Sequence, residues 1–289
     1  MLDSLFDGYT RSLLIFAGIN VISAYSFYLP YKTGQVSLGQ AGFMAVGAYA
    51  SAVMTQKFGM PFAASLVVAG VIAGVVGVAV GFPALRIKGV YLLLLTLGFS
   101  EIIGVIALSW GYIGGAQGFP NISFNPFSLD YVTGLVIVLI FFFARLERSS
   151  LIAGLAGALF AHQATYLDSS TFGIMVSVEI LMFVIVGGGS TYWGPFVGAV
   201  VLNAIPEILR SLHDWLELVP VSWTNYYPMN RIYDFLHSFL DFENAKRLIA
   251  FGLILIVMMI IKPDGLVTRD SLRHALRPLQ FWRWKVRRA

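Results

Sequence analysis

The chain has 289 residues, of which 58% are hydrophobic and 12% are charged, and its formal net charge is +4. Average soluble domains are about 25% charged, and a water-soluble fold could not bury so much apolar surface, whereas lipid can surround it. The composition therefore excludes an ordinary soluble domain and predicts one membrane domain. The sequence contains no cysteine, which excludes disulfides and thiol catalysis.

Apolar runs follow one another along the chain, and a bilayer-spanning helix needs roughly 20 such residues. The run at 36–54 is rich in Gly, Ala and Ser, so it either crosses the membrane or is re-entrant or broken. The run at 151–161 is distinctly short, and its small residues, four apart, predict close helix packing. Together the runs predict an all-α fold, a polytopic transmembrane helix bundle of about eight or nine membrane segments with short interfacial helices. In chain order the runs are residues 13–29, 36–54, 62–85, 89–110, 131–144, 151–161, 172–186, 195–208 and 248–261.

Basic loops predict the orientation of the chain, because Lys and Arg concentrate on the cytoplasmic side. The links at 86–88 and 145–148 are basic, whereas the connection at 110–130 contains no Lys or Arg and should face outside. Eight Lys or Arg follow from residue 262 onward, so the C-terminus is predicted to be cytoplasmic. Residues 267–289 are predicted to form a basic tail at the lipid surface that binds no nucleic acid. The cations of the two links are Arg86, Lys88, Arg145 and Arg148.

Residues 1–266 are predicted to form the transmembrane domain, with an amphipathic, interfacial insertion at 211–246. Within 230–242, apolar side chains recur at helical spacing, while Asp234 and Asp241 take the other face. This pattern is typical of a helix that lies in the membrane surface.

The sequence shows no pattern of catalysis, metal binding or nucleotide binding. Its four histidines share no ligand spacing, and no Gly-Lys-Ser or Gly-Lys-Thr phosphate loop occurs. The chain is therefore predicted not to be an enzyme and to hold no cofactor or metal. If ATP drives transport, the ATPase must be another chain.

Two acids lie inside apolar runs, where a carboxylate normally faces a water-filled path or a partner helix. Glu101 lies roughly 18 Å along its helix from Gly89, past the middle of the membrane. It is either a solute-path or proton-relay residue or a structural carboxylate, and for Glu179 we favour the structural role. A glycine cluster either lines a polar cavity beside a broken helix or forms a tight turn. The cluster consists of Gly187, Gly188, Gly189 and Ser190.

A series of short stretches, each weak alone, occurs in a recognisable order. They are Val36-Ser-Leu-Gly-Gln-Ala-Gly-Phe43, Gly47-Ala-Tyr-Ala50, Phe82-Pro-Ala-Leu-Arg-Ile-Lys-Gly-Val-Tyr91, Thr96-Leu-Gly-Phe-Ser-Glu-Ile102, Gly114-Gly-Ala-Gln-Gly118, Ala153-Gly-Leu-Ala-Gly-Ala-Leu159, Gly187-Gly-Gly-Ser190 with Gly194-Pro195, and Lys262-Pro-Asp-Gly-Leu266. In this series the chain resembles the LivM-type permeases of branched-chain amino acid ABC transporters.

The resemblance implies a permease subunit of an ATP-binding-cassette importer in the inner (plasma) membrane of a prokaryote. It would translocate branched-chain or related amino acids or small polar solutes by alternating access. Its partners would be a second homologous permease, two cytoplasmic ATPase subunits, an extracytoplasmic solute-binding protein and membrane lipid. Candidate solute-path residues are Gln40, Glu101, Glu179, Gly187, Gly188, Gly189 and Ser190, and candidate ATPase contacts are Arg86, Lys88, Arg145 and Arg148.

The chain departs from the family at one place. Members carry a polar stretch with the ATPase-docking helix between two of the later spans, whereas here Arg145 to Ser150 runs directly into the next apolar run. The alternative function is therefore a decayed or uncoupled permease-like membrane protein. A proton-coupled carrier that uses Glu101 is a third hypothesis, and we rank it last.

Overall fold

The computed structural model describes residues 8–84, 86–87, 89–124, 128–142 and 149–217, together with 252, 256, 260–262 and 265–267. Regular structure in these residues is helical, apart from one isolated bridge between Phe119 and Leu167. The all-α prediction is therefore confirmed. The predictions for Lys88, Arg145, Arg148, most of 211–246 and nearly all of 267–289 fall outside the described residues.

The described α-helices follow the apolar runs closely, because backbone groups in an apolar environment must bond within the segment itself. Three 3₁₀ turns at Gly111–Ile113, Gly115–Gln117 and Ser169–Phe172 stand between them. The helices are α1 (Gly8–Lys32), α2 (Gln40–Gln56), α3 (Phe62–Ala84), α4 (Val90–Ser109), α5 (Ser128–Phe142), α6 (Ser149–Ala164), α7 (Ile174–Gly187) and α8 (Gly194–Glu217).

Four helical stretches of the described chain are long and apolar enough to cross a membrane by length and composition. The other described helices are shorter or less apolar, so the number of eight or nine membrane segments stays a prediction. The four stretches are Gly8–Lys32, Phe62–Ala84, Val90–Ser109 and Ser169–Gly187.

Helix α6 lies at the centre of the bundle and packs against α1, α2 and α3. It has 16 residues, which gives about 24 Å at 1.5 Å per residue, so the short run in the sequence corresponds to a short, buried helix. Its glycines allow the close approach: a Cβ on Gly154 would overlap Ala73, and one on Gly157 would overlap the backbone of Met44. The small-residue spacing thus serves packing within the chain.

The faces of α3 and α4 that point away from the rest of the bundle are exposed and apolar. Val67, Val75 and Val78 of α3 are each more than 60% exposed, and Leu94 and Val105 of α4 are about as exposed. A contiguous apolar face of this extent suits lipid or the helices of a partner.

The connection between α4 and α5 is tied to the ends of α2 and α6. Phe119 and Leu167 exchange backbone hydrogen bonds of 2.7 and 3.1 Å, and the Lys57 ammonium lies 3.3 Å from the centre of the Tyr112 ring. Buried His162 holds the same connection, because its Nδ1 lies 2.8 Å from the Ser123 carbonyl oxygen. The predicted outer connection is thus a compact cap on one end of the bundle.

Candidate functional site

Helix α2 begins inside the bundle instead of at its end. Its first residue is Gln40, whose Oε1 lies 3.2 Å from the Ser26 hydroxyl. Ser26 stands six residues before the last residue of α1, which places it about 9 Å from that end. Thr96, which contacts the residues just before Gln40, stands six residues into α4, also about 9 Å inside. The segment 33–39 therefore turns back into the bundle before α2 starts.

Hydroxyl groups from two other helices hold this buried start. The Leu38 amide donates to Thr96 Oγ1 at 3.0 Å, the Ala41 amide to Ser177 Oγ at 3.3 Å and the Gly42 amide to Ser100 Oγ at 3.3 Å. The first amides of a helix have no partner within the helix, and a buried orphan costs free energy. Ser177 of α7 and Ser100 of α4 thus cap the first amides of α2, while Thr96 of α4 holds the amide of Leu38, which lies just before the helix.

Thr96→Val is expected to lower the free energy of unfolding by about 0.5–1.5 kcal/mol, because the half-buried Leu38 amide loses its acceptor. Val keeps the shape of the threonine side chain. The matched control is Thr55→Val, since the Thr55 hydroxyl bonds only to carbonyls of its own helix, those of Ser51 and Ala52. Thermal unfolding in detergent, followed by tryptophan fluorescence, compares the two. Equal midpoints for both variants would contradict the role of Thr96 in holding the Leu38 amide.

The side chain of Gln40 is buried, with 1% of its surface exposed. Its Nε2 is buried and has no hydrogen-bond partner among the described residues. Beside it lies a cavity of about 110 Å³. The cavity reaches from the start of α2 to the neighbouring ends of the helices around it, and its walls come from α1, the 33–39 segment, α3, α4 and α6. The wall of the cavity is mixed in character, with the hydroxyl groups of Ser37, Thr96 and Ser150 among apolar side chains.

The other predicted path residues lie elsewhere. Glu101 follows buried Ser100 but is itself exposed, on the apolar outer face of α4. Glu179 is half-buried on α7, between buried Ser177 and Ile180. Glu101 thus lies on the outside of the bundle and Glu179 on α7, and neither lines the cavity beside Gln40.

The glycine cluster forms the turn between α7 and α8. Gly188 follows the last residue of α7 with φ of 104°, a conformation that favours glycine. The amides of Leu266 and Val267 donate to the carbonyls of Val186 and Gly187 at 2.9 and 3.0 Å. The segment that follows Lys262 therefore fixes the turn. Of the two alternatives for the cluster, its backbone has the form of a tight turn.

Of the predicted ATPase contacts, the structure describes Arg86. It is exposed in the short link between α3 and α4, with its guanidinium 4.9 Å from the centre of the Phe82 ring. Within the described residues, no group of three or more His, Asp or Glu side chains could hold a metal ion.

The capping hydroxyls are functional candidates that sequence reasoning missed. Thr96 and Ser100 are four residues apart in an apolar run, so they share one face of a helix. That signal was available, whereas the contribution of Ser177, from a helix far along the chain, was not.

Comparison with known proteins agrees with the pattern of the sequence. Residues 9–149 match the family described as the permease component of the branched-chain amino acid transport system. The high-affinity branched-chain amino acid transport system permease protein LivM of Escherichia coli K12 is 26% identical over 275 residues, covering 72% of this chain and 63% of LivM. The chain is similar to this LivM permease. LivM of Salmonella typhimurium LT2 is 25% identical with the same coverage.

The segment that matches the permease-component family runs from α1 to the first residue of α6 and so includes the buried start of α2. The chain spans 63% of the length of these LivM relatives, less than two thirds. No solved structure gives a significant match. The similarity to membrane permeases, together with the apolar helices, indicates a multi-pass inner-membrane protein.

Proposed function

We propose that this chain is the permease subunit of an ATP-binding-cassette importer for branched-chain or related amino acids and small polar solutes. The observation that carries the proposal is the match of residues 9–149 to a transport permease family. The geometry supports it, because a helix that begins inside an apolar bundle, beside a cavity lined in part by hydroxyl groups, is how membrane transporters place backbone and side-chain polar groups on a solute path. The helix bundle would then pass the solute by alternating access.

The proposed path residues are Gln40 at the cavity, together with Glu101, Glu179 and the Gly187–Ser190 turn. The exposed position of Glu101 supports the proposal that a second permease is a partner. A carboxylate on an exposed apolar helix face is costly in lipid and is expected to face water or another protein. The exposed face of α4 is therefore proposed to lie against the partner permease, where a water-filled path runs.

ATP hydrolysis is proposed to occur on two separate cytoplasmic ATPase subunits, since this sequence contains no phosphate loop. Their contacts would be Arg86, Lys88, Arg145 and Arg148, at the end of the bundle that the positive-inside rule assigns to the cytoplasm. A solute-binding protein would deliver solute from the other side, where the 110–124 cap lies. In this arrangement residues 1–266 are the membrane domain and 267–289 a cytoplasmic tail.

A specific observation favours a second candidate function, that of an uncoupled permease-like protein. Only residues 143–148 separate α5 from α6, too few for a docking helix and its turns. The LivM alignment extends over 275 positions, but only 72% of the 289 residues of this chain lie within it. The other aligned positions are gaps in this chain. LivM therefore has residues within the aligned region that this chain lacks.

Reconstitution separates the two functions. Proteoliposomes that contain the chain with candidate partner permease, ATPase and binding-protein subunits are expected to accumulate labelled leucine when ATP is present. Omission of the ATPase subunits should reduce accumulation to that of empty liposomes. An ATPase that neither co-purifies with the chain nor changes uptake would support the uncoupled protein. Uptake driven by a pH gradient in the chain alone, lost in Glu101→Gln, would support a proton-coupled carrier instead.

A further inference from the structure

We propose that His162 is an acid-sensitive tie that holds the end of the cap, residues 122–124, to the helix bundle. While the ring is neutral, it joins this end of the cap to α2, and acidification of the solution on that side of the membrane releases it. This inference goes beyond the proposed transport function and does not rest on it.

The ring of His162 lies where the cap, α2, α3 and α6 meet, and its side chain is fully buried. Its Nδ1 lies 2.8 Å from the Ser123 carbonyl oxygen, and its Nε2 lies 3.0 Å from Oγ of Ser51 in α2. The Phe62 ring of α3 packs edge-on against it, with the ring centres 4.7 Å apart. One buried side chain thus holds a backbone carbonyl of the cap against three helices.

The partners of the ring determine where its hydrogens lie. A carbonyl oxygen can only accept, so Nδ1 carries the hydrogen, and Nε2 of a neutral ring accepts from the Ser51 hydroxyl. Ser51 Oγ also lies 3.1 Å from Ser65 Oγ, and the Ser65 hydroxyl lies 2.8 Å from the Phe62 carbonyl oxygen. The neutral ring and the two hydroxyls hold three hydrogens for these four contacts. A proton on Nε2 would supply the fourth, so protonation gains at most one hydrogen bond.

The elements around the ring contain no counter-charge for an imidazolium. Helices α2, α3 and α6 and the connection at 110–124 contain no Asp, Glu, Lys or Arg, and within the described residues His162 bonds only to Ser51 and Ser123. One additional hydrogen bond is worth less than the cost of taking an unpaired charge out of water. The ring therefore stays neutral while the cap is closed.

The charged groups of the adjoining segments do not change this conclusion. The two cations are Arg11 of α1, whose guanidinium lies 6.0 Å from the centre of the Phe124 ring, and Lys57, which lies over the Tyr112 ring. A cation near the cap disfavours a second positive charge.

The two acids of these segments are engaged or exposed. Asp168 accepts hydrogen bonds from Ser169 and Ser170, and Asp130 of α5 is exposed. The phenols of the same elements stay neutral below a pH of about 10, so they contribute no charge in the acid range. They are Tyr9, Tyr49, Tyr112, Tyr131 and Tyr166.

Acid acts through the open form of the cap. When residues 122–124 move away, water reaches the ring, and a hydrated imidazole takes up a proton at its ordinary pKa of about 6.5. The open form then binds a proton that the closed form does not. Opening is therefore expected to become about tenfold more favourable for each pH unit below about 6.5, and the tie is fully present above that pH.

The absence of cysteine allows a test with a single nitroxide spin label in the full chain, purified in detergent. Ser123→Cys is the reporter, because its side chain is exposed and its contact with His162 uses the backbone carbonyl. Gly98→Cys on α4 is the matched control, since a Cβ there meets nothing within 4 Å. Electron paramagnetic resonance spectra between pH 8 and pH 5 give the mobile fraction of each label.

The ratio of mobile to immobile label at Ser123→Cys is expected to rise about tenfold for each pH unit below about 6.5 and to recover on neutralisation, while the label at Gly98→Cys stays unchanged. Addition of His162→Asn should remove the acid response, because an amide can donate to the Ser123 carbonyl but takes up no proton. His162→Gln is a second variant with the same expectation. Both variants keep the other three histidines.

A constant or decreasing mobile fraction at Ser123→Cys between pH 8 and pH 5 would refute the proposal. An undiminished acid response in His162→Asn or His162→Gln would refute it too, because another group would then be the one that titrates. If neither variant folds, the unaltered His162 decides: an acid response confined to Ser123→Cys supports a local release, and an equal response at Gly98→Cys refutes it.

Discussion

Gly157→Leu is expected to abolish the accumulation of folded protein. A Cβ at this position would overlap the carbonyl group of Met44, because α2 and α6 approach each other backbone to backbone there. Overpacking alone typically costs about 1–3 kcal/mol, and a backbone cannot move aside as a side chain can. Since the helices in lipid gain little from the hydrophobic effect, loss of this close contact also removes the dispersion and packing that hold them together.

Gly98→Leu is the matched control for Gly157→Leu. Both glycines lie within helices, but a Cβ at Gly98 meets nothing within 4 Å. The yield of monodisperse protein after size-exclusion chromatography in detergent measures the difference, with Gly157→Ala as an intermediate step. A normal yield of monodisperse Gly157→Leu would show that α2 and α6 do not pack as closely as the structure describes.

Gly118→Val is expected to detach the cap formed by the connection between α4 and α5. Gly118 has φ of 73° and ψ of 177°, a backbone region that is essentially restricted to glycine and costs other residues about 1–3 kcal/mol. A Cβ there would also lie 2.8 Å from the Leu167 carbonyl oxygen and overlap the hydroxyl end of Tyr166. The neighbouring pair Phe119 and Leu167 would then lose its hydrogen bonds.

Gly111→Val, in the same connection, tests whether any valine has this effect. A Cβ at Gly111 meets nothing within 4 Å, and its φ is not in the left-handed range. Protease added to the solubilised protein should cleave the connection faster in Gly118→Val than in either Gly111→Val or the unaltered chain, and the thermal midpoint should fall only in Gly118→Val. Indistinguishable cleavage in the two variants would mean that the cap does not depend on Gly118.

Much of the fold could be predicted from the sequence, because lipid imposes strong constraints. Apolar length predicts helices, and the small residues around Gly157 predict a close helix contact, which the structure places between α2 and α6. Runs that are apolar on all sides carry no information about which face is buried. For that reason the exposed position of Glu101 could not be predicted, although its neighbour Ser100 is buried.

The candidate site was predicted only in part. Gln40 was singled out, but its buried position results from the turn at 33–39, which brings α2 into the bundle. The caps of α2 come from Ser100 and Ser177, which are 58 and 136 residues away from their partners along the chain. Such a meeting of distant hydroxyls depends on how helices pack and has no local pattern.

The Leu38 carbonyl accepts hydrogen bonds from Ser100 of α4 at 3.1 Å and from Ser177 of α7 at 2.6 Å. One backbone oxygen thus couples two helices that otherwise have few contacts with each other. Any rearrangement that draws α4 and α7 apart has to break at least one of these bonds and leave the segment before α2 attached to one side. The hydrogen bonds at the Leu38 carbonyl are therefore the contacts that a movement of α4 relative to α7 would break first.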